Sequence, residues 1–408
     1  MHITLFEDGG YLDLAPLTWL RAAFELRFGC DTLLDKVREQ LRPTSIGFVA
    51  RPALAVVLAE RYPDASRGAG DALLLNSRAI ITADIDPPPV GTAWMDGDTL
   101  IATRMTAAEA AKLNIETCLD AAKLAAALPG RKAIAAPAGV RLLKHPWELA
   151  VGNATELHRQ LRGDGTIDGQ VHHGAHLLNA RHIHISHGAS IKPGVVLDAE
   201  SGPIKIDRGA VIEPNAVIQG PCYIGRGSIV RPTSVIREGT SIGPVCKVGG
   251  EIEGSILQGY ANKQHDGFLG HSFVASWANL GADTVTSDLK NTYGTIRVRI
   301  NGVEIETGQR FIGSTIGDHS KTGIGTVLPT GCVVGFGSQV FTPLGVPKFV
   351  PSMAWVTEGG TEEARIDKVI EIARTVMGRR KVEMSAAEEA LMRAAAKDAR
   401  AAEALGWK

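Results

Sequence analysis

An aliphatic residue recurs at every sixth position in the middle of this chain. The series is Ile206, Ile212, Ile218, Ile224, Val230, Ile236, Ile242 and Val248. Neither an amphipathic helix nor a half-buried strand requires a six-residue period. A parallel β-helix does, because each short strand buries one aliphatic side chain before the chain turns a corner. The period therefore predicts three-sided coils of about eighteen residues, stacked about 4.8 Å apart.

The six-residue period is interrupted at residues 249–314 and returns from Ile316. Within the interruption, residues 295–306 alternate between apolar and polar side chains around Asn301-Gly302, a dipeptide typical of tight hairpin turns. We therefore expect an inserted hairpin near 295–306 that projects from the β-helix.

Short apolar strands and helical stretches alternate along the first part of the chain. The strands are expected at 3–6, 46–49, 73–75 and 80–83, and the helices at 33–41, 53–61, 106–113 and 117–128. Such alternation is typical of an α/β domain. We expect this domain at 1–150, a connector at 151–180, the hexapeptide-repeat β-helix at 181–350 and C-terminal helices at 351–408.

Composition excludes several classes of partner. Lys plus Arg number 43 and Asp plus Glu 44, so no overall field favours nucleic acid or an anionic membrane. No stretch approaches the ~20 apolar residues of a membrane span, and the start MHITLFEDGG lacks the basic and apolar regions of a signal peptide. The five cysteines include no CxxC pair. We expect a reduced, cytoplasmic protein without a zinc site.

Six of the twelve histidines fall within residues 172–187. His182 and His184 would share one face of a strand, as ligands of a metal ion would. No carboxylate or cysteine completes a ligand set nearby, and solvent-facing histidines on the first coil are the alternative interpretation.

The interruption of the repeat is rich in polar side chains that can carry chemistry. A neutral imidazole such as that of His265 can accept a proton from a sugar amine or hydroxyl that attacks an acyl donor. Asn262, Lys263 and Asn279 can bond sugar hydroxyls and phosphate oxygens. Three aspartates are candidates to orient the base, namely Asp266, Asp283 and Asp288. The alternative is that these groups satisfy the backbone of a broken coil.

These stretches also resemble a known family. The motifs are GPVCKVGG at 243–250, GYANKQHDGFLGHS at 259–272, NLGA at 279–282 and SDLKN at 287–291. They are similar to bacterial sugar-nucleotidyltransferase-like proteins related to bifunctional N-acetylglucosamine-1-phosphate uridylyltransferase/glucosamine-1-phosphate acetyltransferase. The resemblance implies an N-terminal nucleotidyltransferase domain, a left-handed parallel β-helix, and a homotrimer with acyl sites between neighbouring helices.

The resemblance assigns roles in the acyl site by position. His265 matches the general base and Asn279 the asparagine of the Asn-hydrophobic-Gly-Ala motif. Arg231 matches a sugar-nucleotide-binding arginine, and Ser314 a serine near acetyl-CoA. Asn262, Lys263 and Asp288 complete the predicted substrate-binding set.

The chain departs from the family pattern at several contacts. Phe268 replaces a tyrosine, Gly249 falls where a substrate lysine is expected, and Asp288-Leu289 replaces an Asn-Tyr pair. These changes leave the identity of the amino-sugar phosphate open.

In the N-terminal domain, Arg21, Arg27 and Lys36 resemble the cations that hold a nucleoside triphosphate in this group. Ordinary exposed cations are the alternative interpretation. Residues 76–78, Asn-Ser-Arg, occupy the place of a magnesium-binding aspartate, so Mg²⁺ is an optional cofactor.

The sequence therefore predicts a transferase of nucleotide-sugar biosynthesis. It would move an acetyl group from acetyl-CoA to an amino-sugar phosphate, a nucleotidyl group to a sugar 1-phosphate, or both. The alternative is a catalytically degenerate trimeric protein that binds a nucleotide sugar or regulates another activity.

Overall fold

The computed structural model describes residues 1–66 and 70–407. The chain forms an N-terminal α/β domain, a parallel β-helix and two C-terminal helices, as the sequence predicts. Across the described residues, no helix combines the length and the apolar character needed to cross a membrane.

The N-terminal domain is built on a six-stranded mixed sheet. In spatial order its strands are Ser45–Val49, His2–Phe6, Ala72–Asn76, Thr99–Met105, Thr92–Asp96 and Lys132–Ala135. The helices of this half are Leu33–Leu41, Pro52–Arg61, Ala107–Ala110, Ile115–Cys118, Ala121–Ala127 and Trp147–Gln160. Because His2–Phe6 runs parallel to both its neighbours, the carboxyl ends of the three strands meet at one edge of the sheet.

The β-helix has three faces, which we number in chain order. The first face holds Gln170–Val171, Ser190–Ile191, Val211–Ile212, Ile229–Val230, Lys247–Val248 and Asn262–Lys263, and it resumes with Lys321–Thr322, Gln339–Val340 and Ala354–Thr357. The second face holds His176–Leu178, Val196–Asp198, Val217–Gln219, Val235–Ile236, Glu251–Glu253 and Phe268–Gly270, and Val285–Thr286 and Val327–Leu328 continue beyond them. The third face holds Ile183–Ile185, Ile204–Ile206, Cys222–Ile224, Thr240–Ile242, Ile256–Leu257, Phe273–Val274, Thr315–Ile316, Val333–Val334 and Phe349–Val350.

The six-residue series forms the core of this β-helix. Every member from Ile206 to Val248 is fully buried, and successive members lie on successive faces. Parallel pairing stacks each residue on its equivalent one coil away, for example Ile206 on Ile224 and Ile224 on Ile242. The predicted parallel β-helix is confirmed.

The start of the β-helix differs from the sequence expectation. The strands Gln170–Val171 and His176–Leu178 already pair with the next coil, so the β-helix begins inside the segment 151–180 that we expected to be a connector. The first coil escaped detection because its apolar side chains are few and only partly buried.

The inserted hairpin does not project freely into solvent. Its strands are Arg297–Ile300 and Val303–Glu306, paired antiparallel across the Asn301 turn. Val298 and Ile300 are buried in the cluster that also holds the C-terminal helices, and Asn301 Nδ2 donates to the Leu12 carbonyl at 3.0 Å. Burying one side of the hairpin explains its alternating pattern.

The C-terminal helices, Ile366–Gly378 and Ala386–Ala402, hold the two domains together. The second packs along Pro52–Arg61 of the N-terminal domain. At its end Glu403 is buried and accepts hydrogen bonds from Trp19 Nε1 at 3.3 Å and from Ser352 N at 2.6 Å. One carboxyl group therefore bridges the N-terminal domain and the last part of the β-helix.

Replacing Glu403 by Gln is expected to flatten the pH dependence of stability. Burial raises the pKa of Glu403 from 4.5 to about 7, against the hydrogen bonds from Ser352 and Trp19. The pKa of Glu403 is therefore higher in the folded than in the unfolded state. The protonated carboxyl group stabilises the fold fully below pH 4.5, and this stabilisation is lost as the pH rises through 7. The loss amounts to at most about 3 kcal/mol. Urea unfolding between these pH values measures it, and equal losses in both proteins would contradict the assignment.

Candidate functional site

A cavity of 440 Å³ opens at the carboxyl edge of the N-terminal sheet, and we call it the sheet-edge cavity. Open α/β sheets bind ligands at this edge. Its walls include Gly9 and Gly10 after the first strand, Arg78 after the third, and Ala125 on the helix Ala121–Ala127. The cavity is large enough for a small-molecule ligand.

An ion pair shapes the floor of the sheet-edge cavity. Arg78 donates from Nε to Asp8 Oδ1 at 2.7 Å and from Nη2 to Asp8 Oδ2 at 2.5 Å. Asn76 Nδ2 adds a bond to Asp8 Oδ2 at 3.0 Å. A Cβ on Gly10 would lie 2.2 Å from the Arg78 guanidinium, so a larger residue there would have to displace Arg78 from its present position. The network fixes both charged groups before any ligand arrives.

The carboxylates of this cavity do not fit a magnesium site. Both oxygens of Asp8 are bonded to Arg78, which belongs to the triplet 76–78 at the expected position of a metal-binding aspartate. Over residues 1–66 and 70–407, no group of three His, Cys, Asp or Glu side chains is arranged to hold a metal ion. We therefore assign no step to Mg²⁺.

The three predicted nucleotide-binding cations lie away from the sheet-edge cavity, and each has protein partners. Arg21 pairs with Asp318 of the β-helix. Arg27 bonds the carbonyls of Cys30 and Gln258. Lys36 is fully buried against Glu156, and a phosphate would reach it only if that pair opened. Their phosphate-binding role stays a prediction.

On the β-helix, polar side chains of the interrupted coils align along the first face. Asn262 stacks between Lys247 and Asn279, and its Nδ2 donates to Asn279 Oδ1 at 3.3 Å. Arg380, from the segment between the C-terminal helices, donates to Asn262 Oδ1 at 2.7 Å. Arg231 lies on the same side, 3.0 Å from Glu213. The structure thus brings together three of the predicted substrate residues.

The first face carries a concentration of positive charge. Burial lowers the pKa of Lys247, and the charges of Arg380, Arg231 and Arg379 lower it further. We call Arg231, Lys247, Arg379 and Arg380 the basic cluster. Arg379 and Arg380 were not predicted, although the basic run Arg-Arg-Lys at 379–381 was a visible signal. Such a cluster favours an anionic ligand such as a phosphate.

His265 is exposed at the corner that follows Asn262 and Lys263. Lys263 itself points inward, where its Nζ donates to the carbonyls of Gly249 at 3.0 Å, His265 at 2.5 Å and Asp266 at 3.1 Å. Burial lowers the pKa of Lys263 to about 8. Lys263 therefore holds the corner that presents His265 rather than facing a substrate.

Two predicted residues lie at a different corner, between the second and third faces. Asp288 Oδ2 is 2.7 Å from His271 Nδ1, and the imidazole lies against Phe311. Ser314 is buried nearby and its backbone N–H bonds Ser272 Oγ at 2.8 Å. Within one chain these residues do not join the His265 corner. The pairing of His271 with Asp288 was not expected, since the two residues lie seventeen positions apart in the sequence.

The histidine-rich segment 172–187 forms ordinary surface contacts. His184 Nδ1 is 3.1 Å from Asp164 Oδ1, and its Nε2 is 3.1 Å from Ser186 Oγ. These contacts favour the interpretation of solvent-facing histidines on the first coil.

Two family models match the chain. One is described as "Sugar nucleotidyl transferase" and matches residues 3–163. The other is described as "Bacterial transferase hexapeptide (six repeats)" and matches residues 203–238. They fall on the N-terminal domain and on the regular coils of the β-helix, respectively.

Curated relatives match parts of the chain. A protein of Methanococcus maripaludis named "Bifunctional protein GlmU" is 39% identical over 142 residues, which are 34% of each chain. One of Sulfurisphaera tokodaii named "Bifunctional sugar-1-phosphate nucleotidylyltransferase/acetyltransferase" is 30% identical over 22% of this chain and 23% of its own. The chain thus spans between a fifth and about a third of these relatives' length.

The chain covers a larger share of a relative from Escherichia coli than of the relatives above. It is named "Uncharacterized acetyltransferase YaiX" and is 36% identical over 177 residues. The match takes in 43% of this chain and 75% of the relative.

Proposed function

The chain belongs to the hexapeptide-repeat transferases and carries an N-terminal sugar-nucleotidyltransferase-like domain, and from this we propose its function. It is a transferase of nucleotide-sugar biosynthesis with two reaction centres. One transfers an acetyl group from acetyl-CoA to an amino-sugar phosphate. The other transfers a nucleotidyl group from a nucleoside triphosphate to a sugar 1-phosphate. The binding-only alternative has no support among the relatives.

The acyl reaction is proposed because His265 is exposed at the corner that follows Asn262–Lys263, on the face of the β-helix that carries the basic cluster. His265 accepts a proton as the sugar amine attacks the thioester carbonyl. The C–S bond then breaks, and the proton passes to the leaving thiolate. Arg231, Asn262 and Asn279 hold the sugar phosphate through charged and amide hydrogen bonds.

In this proposal, two predicted acyl-site residues act across a subunit boundary. Ser314 and Asp288 lie at another corner of the same chain, so they would complete a neighbour's site in a homotrimer. The large apolar side chains Ile324, Phe341 and Leu344 are exposed, as an assembly surface would be. Sedimentation should then give three times the chain mass of 43.2 kDa. A monomer would exclude the shared site.

The nucleotidyl reaction is placed at the sheet-edge cavity. An oxygen of the sugar 1-phosphate attacks the α-phosphate, and pyrophosphate leaves. The domain limits that we propose are 1–150 for this half, 181–350 for the regular coils of the β-helix and 351–408 for the C-terminal helices, and the segment 151–180 connects the halves and holds the first coil. Pyrophosphate release that survives Arg21→Ala and Lys36→Ala would rule out phosphate roles for those two residues.

Two assays on the full chain test the proposal. The first follows free thiol released from acetyl-CoA in the presence of amino-sugar phosphates. The second follows pyrophosphate released from nucleoside triphosphates and sugar 1-phosphates. We expect release in both; no thiol release with any amino-sugar phosphate would refute the acyl half.

Replacing Arg380 by Ala is expected to raise KM for the sugar phosphate about tenfold with a smaller change in kcat. Removing one charge-assisted bond to a bound anion costs about 1.5–3 kcal/mol of binding at most. Steady-state thiol release at varied sugar phosphate measures it. Arg393→Ala, which removes an exposed arginine paired with Asp367 and Glu389, is the control. A KM unchanged in Arg380→Ala would remove Arg380 from the site.

A further inference from the structure

A second cavity, of 380 Å³, lies where the three parts of the chain meet, and we call it the interface cavity. The N-terminal domain contributes Arg21, and the corner between the third and first faces of the β-helix contributes Trp277, Asp318 and His319. The C-terminal segment contributes methionines, among them Met384. The cavity is therefore distinct from the sheet-edge cavity and from the His265 corner.

Buried polar atoms without protein partners gather at the interface cavity. Arg21, Asp318 and His319 are only 8%, 1% and 5% exposed. In the described part of the chain, no hydrogen-bond partner reaches Arg21 Nε, Asp318 Oδ2 or His319 Nδ1. Buried polar groups are nearly always paired in folded proteins. Three orphaned atoms from adjoining residues therefore indicate that something other than this chain completes the site.

The three groups present both hydrogen-bond donors and acceptors. Arg21 Nε–H is a donor, and Asp318 Oδ2 is an acceptor because Oδ1 alone already receives bonds from Arg21 Nη2 and Ser276 N. Burial lowers the pKa of His319 to about 3, with the charges of Lys321 and Arg21 adding to the effect. Its ring is thus neutral at pH 7 and offers one donor and one acceptor. A complementary ligand carries acceptors and donors close together.

An aromatic ladder forms one wall of the same cavity. The ring of Tyr260 stacks on Trp277 at 4.4 Å, and that of Trp277 lies nearly parallel to His319 at 6.2 Å. The three residues occupy equivalent corners of successive coils, with φ of 55°, 63° and 58°. The packing of the core strands does not require aromatic rings at these corners. Flexible methionines also line the interface cavity. This wall suits a flat aromatic ligand.

We propose that the interface cavity binds the base of a nucleotide, at a site separate from both reaction centres. A nucleobase is planar, packs on aromatic side chains, and carries donors and acceptors on one edge. The volume falls within the range of small-molecule sites. Because the ligand touches the N-terminal domain, the β-helix and the C-terminal segment, its binding stabilises their arrangement.

Calorimetric titration of the full chain tests the proposal. The probes are uridine, guanosine and adenosine 5′-monophosphate, with ribose 5-phosphate as the base-free control. All titrations use the Ala125→Trp background, in which a bulky side chain fills the sheet-edge cavity. We expect one nucleoside monophosphate bound per chain, and at least tenfold weaker binding of ribose 5-phosphate.

Two variants locate the binding. Trp277→Leu removes the centre of the ladder, and Met384→Trp adds a bulky side chain at another residue that lines the cavity. Each should weaken binding at least tenfold, whereas Trp355→Leu, on the first face beside Phe341, should not change it. Circular dichroism shows whether each variant is folded. One folded variant is enough to test whether the nucleotide binds in the interface cavity. Binding of none of the three nucleotides, or binding unchanged in a folded variant, would mean that water alone fills the cavity. Pyrophosphate release in the wild type is unaffected by that outcome, so the two proposals fail separately.

Discussion

Replacing His265 by Ala is expected to lower acetyl transfer by about 10²–10⁴-fold, the contribution of a positioned general base. The side chain is exposed at its corner, so its removal leaves the core of the β-helix untouched. The corner itself is held by Lys263 through three carbonyl groups, and these bonds use the backbone of His265 rather than its ring. The loss should therefore appear in kcat, with melting temperature and KM little changed.

The control for His265 is another exposed histidine of the same β-helix. His173 lies on the first coil, and His173→Ala should retain full activity. Thiol release under saturating acetyl-CoA compares the two variants. Activity within threefold of wild type in His265→Ala would remove this residue as the base. An equal loss in His173→Ala would point to a general effect of the substitutions.

The buried ion pair between Lys36 and Glu156 gives the largest expected effect on stability. It joins the helix Leu33–Leu41 to the helix Trp147–Gln160, which packs on the β-helix. Glu156→Gln leaves the ammonium of a fully buried lysine without its carboxylate. Removing one member of such a pair typically costs about 3–5 kcal/mol. Burial already lowers the pKa of Lys36, against the attraction of Glu156, so the lysine would lose its proton more readily in the variant.

Urea unfolding of the single and double variants measures this effect. The double variant Lys36→Met with Glu156→Gln should recover much of the loss, because no unpaired ammonium remains buried. The exposed pair of Lys368 and Glu371 is the control, and Glu371→Gln should cost no more than about 1 kcal/mol. A loss of that small size in Glu156→Gln would show that the buried pair does not hold the helices together.

The β-helix was predictable because its constraint is local and repeated. Each aliphatic residue from Ile206 to Val248 needs only its neighbours one coil away, so the period is written directly in the sequence. The helix at Leu33–Leu41 was predictable for a similar reason, since Thr32 and Asp35 cap its first turn reciprocally. In contrast, the stretch 117–128 was expected to be one helix, and Asp120 begins a new one there by accepting bonds from Ala122 N and Lys123 N.

The candidate sites were harder to predict because they depend on partners far apart in sequence. Lys263 has the chemistry of a phosphate ligand, and only the fold shows that three backbone carbonyls already surround it. Arg21 meets Asp318 across the domain interface, almost three hundred residues away. Arg380 reaches Asn262 from a segment that reads as a simple turn between helices. Spacing identifies groups that can react, whereas packing decides which of them face a substrate.

If one chain carries two separate reaction centres, a variant at one centre should lose only the reaction of that centre. Thiol release and pyrophosphate release are followed in parallel on wild type, His265→Ala and Ala125→Trp. Ala126→Trp, on the same helix but outside the sheet-edge cavity, is the control. We predict that His265→Ala loses only thiol release, that Ala125→Trp loses only pyrophosphate release, and that the control keeps both. If either variant lost both reactions, or neither reaction, the chain would not carry two separate reaction centres at these positions.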